Sequence, residues 1–106
     1  LDPGYPNAYY SRGIAYISLG ENQRALEDFD KAIQRDSGSA MFYDNRGTAY
    51  GRLGENQRAI YDFDKAIQID PDYARAYNNR GLAHRALGDN EQAAQDLATA
   101  KRLREE

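Results

Sequence analysis

The 106-residue sequence contains no cysteine, no tryptophan and a single histidine. Disulfide frameworks, thiol nucleophiles and most metal sites require clusters of such side chains. Basic residues are not in excess either, since 14 Lys and Arg stand against 17 Asp and Glu and the net charge is -3. Proteins that bind nucleic acid normally have the opposite balance. We therefore predict a protein that is not an enzyme and has no catalytic residues, metal, cofactor or nucleic-acid partner.

Long hydrophobic runs are absent as well. No stretch of 18 apolar residues occurs, so neither a membrane-spanning segment nor a membrane partner is predicted. The first residues, Leu1, Asp2 and Pro3, lack the basic and then apolar pattern of a signal region. These features do not identify the compartment, although they favour a cytoplasmic location.

The sequence repeats itself at an offset of 34 residues. Residues 6–39 and 40–73 are identical at 20 of 34 aligned positions, and residues 40–66 and 74–100 are identical at 12 of 27. Identity at this level indicates three copies of one structural unit.

Each copy has the periodicity of two helices. In the first copy, Tyr9, Gly13 and Tyr16 recur at steps of three and four, which is the spacing of one helix face. Ala25 and Phe29 begin a second stripe with the same spacing. The small residues are expected to let the two helices approach closely, and the aromatic residues to fill the gaps that remain. Because one hairpin cannot bury its aromatic face alone, the copies are predicted to stack.

Glycine and asparagine mark the predicted helix ends. Gly20 is expected to end the first helix because glycine accepts the left-handed conformation found there. Asn22 is expected to cap the second helix through its side-chain oxygen. The equivalent residues in the other copies are Gly54, Gly88, Asn56 and Asn90.

On these residues the chain resembles the tetratricopeptide repeat family, which has a 34-residue period and a pattern of Trp, Leu-Gly, Tyr, Ala, Phe, Ala and Pro. The matching residues are Tyr9, Gly13, Tyr16, Ala25, Phe29 and Ala32 in the first copy, Tyr43, Gly47, Tyr50, Ala59, Phe63, Ala66 and Pro71 in the second, and Tyr77, Gly81, Ala93, Leu97 and Ala100 in the third. Tyrosine replaces the Trp, and His84 replaces the third Tyr, without affecting the predicted fold. The chain resembles a fragment of a longer bacterial array.

The resemblance implies an all-α fold, a right-handed superhelical stack of three antiparallel helix hairpins. The predicted repeats are residues 6–39, 40–73 and 74–106, and the last of them has a polar C-terminal helix end. Leu1-Asp2-Pro3 matches Ile69-Asp70-Pro71, so residues 1–5 are expected to be the remnant of a preceding repeat.

The resemblance also implies where a ligand binds, because in this family the first helices line a concave groove and the second helices form the outer surface. The groove positions differ between the three copies while the packing positions do not, which is typical of a surface adapted to a ligand. We therefore expect a noncatalytic protein–protein interaction module that binds a peptide or partner segment in this groove. The candidate groove residues are Asn7, Tyr10, Ile14, Ile17, Met41, Asp44, Asn45, Thr48, Arg52, Arg75, Asn78, Asn79, Leu82 and Arg85.

The charges favour an acidic guest. The first helices carry six arginines and a single carboxylate, Asp44, whereas carboxylates such as Asp28 and Asp62 lie on the second helices, so the groove is predicted to be basic. Arg52, Arg75 and Arg85 could bind carboxylates through paired hydrogen bonds, and Asn78 and Asn79 could pair with an extended backbone. We therefore expect an acidic or carboxylate-ended peptide, although exposed arginines can also merely solvate a helix.

Three other arginines each precede an aspartate by 16 residues. The pairs are Arg12 and Asp28, Arg46 and Asp62, and Arg80 and Asp96. Because they recur identically, they are predicted to be structural ion pairs within the hairpins rather than ligand contacts.

Some members of the family bind the acidic tails of heat-shock chaperones through basic and asparagine side chains at five groove positions. Here those positions hold Tyr10, Ile14, Asn45, Arg75 and Asn79, of which only Asn45 and Arg75 fit. Recognition of chaperone tails is therefore not expected.

A structural function is the alternative. The first hairpin presents Tyr5, Tyr9 and Tyr10, and it could stack end to end on another copy. This interpretation predicts a weak homo-oligomer.

Overall fold

The computed structural model describes residues 4–106, which form six α-helices and no strand. The helices are α1 (Pro6–Ser18), α2 (Asn22–Arg35), α3 (Ala40–Arg52), α4 (Asn56–Ile69), α5 (Ala74–Ala86) and α6 (Asn90–Glu105). Each odd-numbered helix packs against the helix that follows it, so the chain forms three hairpins. The predicted all-α class is confirmed. The match of Leu1-Asp2-Pro3 to a later segment lies outside the described residues.

The predicted ends of the first helices are confirmed. Gly20, Gly54 and Gly88 follow α1, α3 and α5 with φ values of 76°, 79° and 85°. These values lie in the left-handed region, which glycine adopts without the steric cost of a Cβ atom.

The predicted asparagine caps are wrong. Asn22 is the first residue with helical backbone in α2, and the residue before it, Glu21, is the N-cap. A capping side chain accepts from the next amides only when its own backbone is non-helical. At the start of α6, the Asp89 carboxylate accepts a hydrogen bond from Gln92 N at 3.2 Å. Glu21 makes no such side-chain bond within the described chain.

A glycine faces an aromatic ring inside the first two hairpins. A Cβ atom at Gly13 would lie 2.6 Å from Phe29 Cε1, and one at Gly47 would lie 2.6 Å from Phe63 Cε1. Both rings are buried. The absence of a side chain on the first helix therefore makes room for the phenylalanine of the second helix.

Successive hairpins stack with their first helices side by side. α1 contacts α3 and α3 contacts α5, whereas within residues 4–106 no contact joins α2 to α4 or α4 to α6. The outer helices are thus farther apart than the inner ones, and α1, α3 and α5 line the concave side of a superhelix. The stack measures 42 × 28 × 19 Å.

Aromatic side chains fill the junctions between hairpins. The Tyr10 ring lies between Phe29 and Phe42, at centroid distances of 5.9 and 5.0 Å. Tyr50 packs against the core clusters on both sides of the second hairpin. The prediction that the copies bury their aromatic residues against one another is confirmed.

None of the helices in residues 4–106 combines the length and apolar character needed to cross a lipid bilayer.

Candidate functional site

Each hairpin contains one ion pair between its two helices, in which an arginine of the first helix binds a buried aspartate of the second. Arg12 donates to Asp28 at 2.7 and 2.8 Å, Arg46 donates to Asp62 at 2.9 and 2.8 Å, and Arg80 donates to Asp96 at 2.8 and 2.8 Å. The three carboxylates are at most 3% exposed. The predicted ion pairs are confirmed, and each one joins the two helices of its hairpin.

Two of these arginines also connect neighbouring hairpins, which was not predicted. Arg46 Nη1 donates to Asp30 Oδ1 at 3.0 Å, and Arg80 Nη1 donates to Asp64 Oδ1 at 2.9 Å. Both aspartates again lie 16 residues away, but on the N-terminal side, so the same spacing could have found them. The hydrogen bond to Asp96 raises the pKa of Arg80 above its ordinary value despite partial burial.

The candidate groove residues lie on α1, α3 and α5, but their exposure differs. The exposed residues are Asn7, Met41, Arg52, Arg75, Leu82 and Arg85, and the half-buried ones are Tyr10, Ile14, Ile17, Thr48, Asn78 and Asn79. Asp44 is 0% exposed and Asn45 is 3% exposed. The expectation that Asp44 meets a ligand directly is therefore corrected, because its carboxylate lies beneath the groove surface.

The Asp44 carboxylate belongs to a polar network under the groove. Asn79 Nδ2 donates to Asp44 Oδ1 at 3.0 Å, and Arg75 Nε lies 3.2 Å from Asp44 Oδ2. Arg75 Nη2 also donates to Asn45 Oδ1 at 3.1 Å. Asn45 Nδ2 in turn donates to the Tyr10 hydroxyl at 3.0 Å. The network therefore links α1, α3 and α5.

Burial dominates the electrostatics of this network. It raises the pKa of Asp44, although the hydrogen bond from Asn79 and the charge of Arg75 oppose the rise. Burial, together with the nearby Asp44 charge, also raises the pKa of Tyr73 to about 12. At neutral pH the Arg75 guanidinium therefore compensates a buried carboxylate, which limits the charge that it can offer to a ligand.

Two arginines of the inner helices remain available. Arg52 and Arg85 are exposed and have no acidic partner in the described part of the chain. Fewer arginines are therefore available to a ligand than the sequence of the groove suggests, because the other arginines of α1, α3 and α5 are paired with aspartates.

Two hollows meet in the middle of the groove. The larger, about 460 Å³, is lined by Tyr10, Ser11, Ile14, Ile17, Ser18, Asn45, Thr48, Arg52 and Arg75. The smaller, about 280 Å³, is lined by Gly47, Thr48, Gly51, Arg52, Asn56, Ala59, Phe63, Asn79, Leu82 and Ala83. Thr48 and Arg52 line both hollows. The Arg52 guanidinium, which has no acidic partner in residues 4–106, therefore lines two partly apolar depressions.

His84 makes no hydrogen bond with the two aspartates near it in the described part of the chain. Its Nδ1 lies 3.8 Å from Asp89 Oδ2, and its Nε2 lies 4.0 Å from Asp96 Oδ2. Both distances are too long for hydrogen bonds, and Asp96 is already bound by Arg80. The half-buried imidazole therefore occupies the packing position that tyrosine holds in the other hairpins.

Three family models match the chain. Models described as tetratricopeptide repeat match residues 6–39 and residues 74–106. A model described as TPR repeat matches residues 52–88. Among curated proteins, no sequence matches significantly.

Solved structures with the same fold cover nearly the whole chain. The crystal structure of MamA is 32% identical with a TM-score of 0.91, and the match covers 99% of this chain and 61% of that one. The second TPR of Spaghetti (RPAP3), bound to the HSP90 peptide SRMEEVD, is 29% identical over 96% of this chain and 94% of that one, with a TM-score of 0.91. The Arabidopsis OM64 TPR domain is 30% identical over 92% and 81%, with a TM-score of 0.90. The chain therefore spans less than two thirds of MamA but most of the other two.

Proposed function

This chain belongs to the tetratricopeptide repeat family, and we propose that it is a noncatalytic module that binds an extended, acidic segment of a partner protein in its concave groove. The observation that carries the proposal is the position of Arg52, which is exposed, has no acidic partner within residues 4–106 and lines both hollows. A guanidinium in this state can bind a carboxylate through two parallel hydrogen bonds.

The groove is suited to this function because it is formed before a ligand arrives. The network around Asp44 fixes α1, α3 and α5 relative to one another. A disordered partner segment would then bear most of the ordering cost on binding. For a short peptide of this kind we expect affinities in the micromolar range or weaker.

The relatives support an acidic ligand class without identifying the ligand. The peptide bound to the second TPR of Spaghetti has two glutamates and a terminal aspartate. In this chain Tyr10 accepts a hydrogen bond from Asn45, and Arg75 is paired with Asp44. Because these side chains already bind one another, we propose acidic segments other than chaperone tails as the ligands.

A peptide array tests the charge preference. The array holds heptapeptides with two glutamates, one apolar residue and a free carboxyl terminus, beside matched sets with glutamine or lysine in place of glutamate. We expect the chain to bind the glutamate set. The double variant Arg52→Glu with Arg85→Glu should weaken binding at least about tenfold, because it replaces two attractions with repulsions.

A matched control separates the groove from net charge. Arg24→Glu with Arg58→Glu makes the same charge change on the outer helices α2 and α4, and it should leave peptide binding unchanged. Arg75 is retained in both variants because it compensates Asp44. Unaltered binding by the groove variant would place the site elsewhere, and preference for the lysine set would overturn the acidic-ligand proposal.

End-to-end self-assembly is the second candidate function, favoured by the 65% exposure of Tyr5. The ion pairs that join neighbouring hairpins argue against this function. The described residues offer Arg12 no second carboxylate, and Ala98 takes the place that Asp30 and Asp64 hold in the first two hairpins. A head-to-tail contact would therefore lack this pair. Sedimentation at several protein concentrations distinguishes the two functions, since only self-assembly predicts a concentration-dependent mass.

A further inference from the structure

Among the groove positions that differ between the three hairpins, one near the end of the first helix holds Ile17, Gly51 and Arg85 in turn. Ile17 packs against a buried cluster at the junction of the first two hairpins. A Cβ atom at Gly51, in contrast, would lie 4.0 Å from its nearest neighbours, which are Ala59 Cβ and Asn56 Oδ1. The second hairpin therefore leaves open the space that an isoleucine fills in the first.

This open space is the smaller hollow, named here the Gly51 cavity. Its volume of about 280 Å³ is close to the lower end of ligand pockets, roughly 300–1,000 Å³, so it suits one side chain rather than a whole ligand. Its apolar lining consists of Ala59, Phe63, Leu82 and Ala83. Phe63 is only 3% exposed, so it belongs to the hydrophobic core beneath the cavity.

An equivalent pair of asparagines shows the effect of the missing side chain. Asn22 Oδ1 is buried without a hydrogen-bond partner in residues 4–106. Its equivalent, Asn56, lines the Gly51 cavity, with Oδ1 4.0 Å from the Cβ position of Gly51. The Asn56 amide group is thus part of the cavity lining.

We propose that the Gly51 cavity receives one apolar side chain of the partner segment, of the size of valine or leucine, while a neighbouring carboxylate of that segment pairs with Arg52. The inference rests on the proposed function and adds a sequence requirement to it. Arg52 supplies the charge complementarity at the edge of the cavity. Glycine inside a helix is less stable than alanine, and no neighbour excludes a side chain at Gly51, so folding alone gives no reason for this residue.

Amide chemical shifts of the ¹⁵N-labelled chain test the cavity with defined probes. The probes are N-acetyl-leucyl-glutamate, N-acetyl-alanyl-glutamate and N-acetyl-leucyl-glutamine. We expect shifts at Gly47, Gly51 and Ala83, and an affinity for the leucine probe about fivefold above that for the alanine probe, from partial burial of the additional carbon atoms. Glutamine in place of glutamate should weaken binding as well.

The variant Gly51→Ile copies the first hairpin into the second. It should reduce the preference for leucine over alanine to less than about twofold, since the cavity would be filled. The preference for glutamate over glutamine should persist, because Arg52 is unchanged. Gly51→Ala provides a milder variant with an intermediate effect and keeps the test valid if the isoleucine perturbs the helix.

The outcomes separate this inference from the proposed function. A leucine preference that survives Gly51→Ile, shifts confined to the hollow around Ile14, or no shifts with any probe would overturn the cavity as a receptor. If the unaltered chain prefers the leucine probe over the alanine probe but binds the glutamate and glutamine probes equally, the acidic-ligand proposal is overturned. The cavity would then still be supported as the receptor of an apolar side chain.

Discussion

The ion pairs that join the two helices of a hairpin recur in every hairpin, whereas the polar contacts along the groove do not. The pair represented by Arg46 and Asp62 occurs in all three hairpins with nearly the same distances. The contact of Asp44 with Arg75 occurs once. Repetition marks interactions that every hairpin needs for folding, whereas a contact found once belongs to the shape of this particular groove.

The same contrast holds for glycines one turn apart on α3. Gly47 has equivalents in the other hairpins, and its missing Cβ is replaced by the Phe63 ring. Gly51 has none, and its missing Cβ leaves a cavity. Stability measurements at matched repeated and unrepeated positions should therefore give different results, and ligand binding should depend on the unrepeated ones.

The largest contrast is expected between Arg46→Met and Arg52→Met. Loss of Arg46 leaves the Asp62 carboxylate buried and uncompensated, which should lower the free energy of unfolding by about 3–5 kcal/mol. Loss of Arg52, which is exposed and unpaired among the described residues, should change it by less than about 0.5 kcal/mol. Urea denaturation followed by circular dichroism measures both.

A double variant checks the cause of the first effect. Arg46→Met combined with Asp62→Leu leaves no buried charge at that pair and should recover part of the lost stability. Equal losses in the Arg46 and Arg52 variants would show that repetition does not distinguish folding contacts from groove contacts.

A smaller contrast is expected between Gly47→Ala and Gly51→Ala. The new methyl group at Gly47 would lie 2.6 Å from a buried ring, and overpacking of this kind lowers stability by about 1–3 kcal/mol. At Gly51 the methyl group meets no close neighbour, so the gain in helix propensity should raise stability by about 0.5–1 kcal/mol. Thermal unfolding measures the sign of each change, and the same sign at both positions would contradict the packing seen at α3.

The features that recur in every repeat, namely the helix hairpins and their ion pairs, could be predicted from the sequence. The hairpins follow from the spacing of residues such as Gly13 and Phe29, and the ion pairs follow from the 16-residue separation of Arg12 and Asp28. The asparagine caps failed because the register of the first helical turn differs by one residue from the predicted one, so that Asn22 already has helical backbone.

The network under the groove could not be predicted in this way. Tyr10, Asp44 and Asn78 occupy equivalent positions in the three copies, so no recurring pattern marks Asp44 as buried. Its partners Arg75 and Asn79 lie on another hairpin, and their approach depends on how the hairpins stack. Residue spacing within one copy carries no information about that geometry.

The smallest expected effect is a pH dependence at Asp44, whose contact with Arg75 occurs once among the described residues. Burial raises the pKa of Asp44 in the folded chain, so the folded state binds a proton at this group more readily than the unfolded state does. The ionised carboxylate therefore lowers stability at neutral pH, and acidification through the folded pKa towards the unfolded value removes that penalty. The comparison variant, Asp44→Asn, has no proton to bind at this position. Urea denaturation at pH 7.0 and pH 4.5 should show the wild type gaining stability relative to the variant on acidification, by an amount on the order of 1 kcal/mol or less. A relative loss for the wild type would mean that the hydrogen bond from Asn79 and the charge of Arg75 outweigh burial at Asp44.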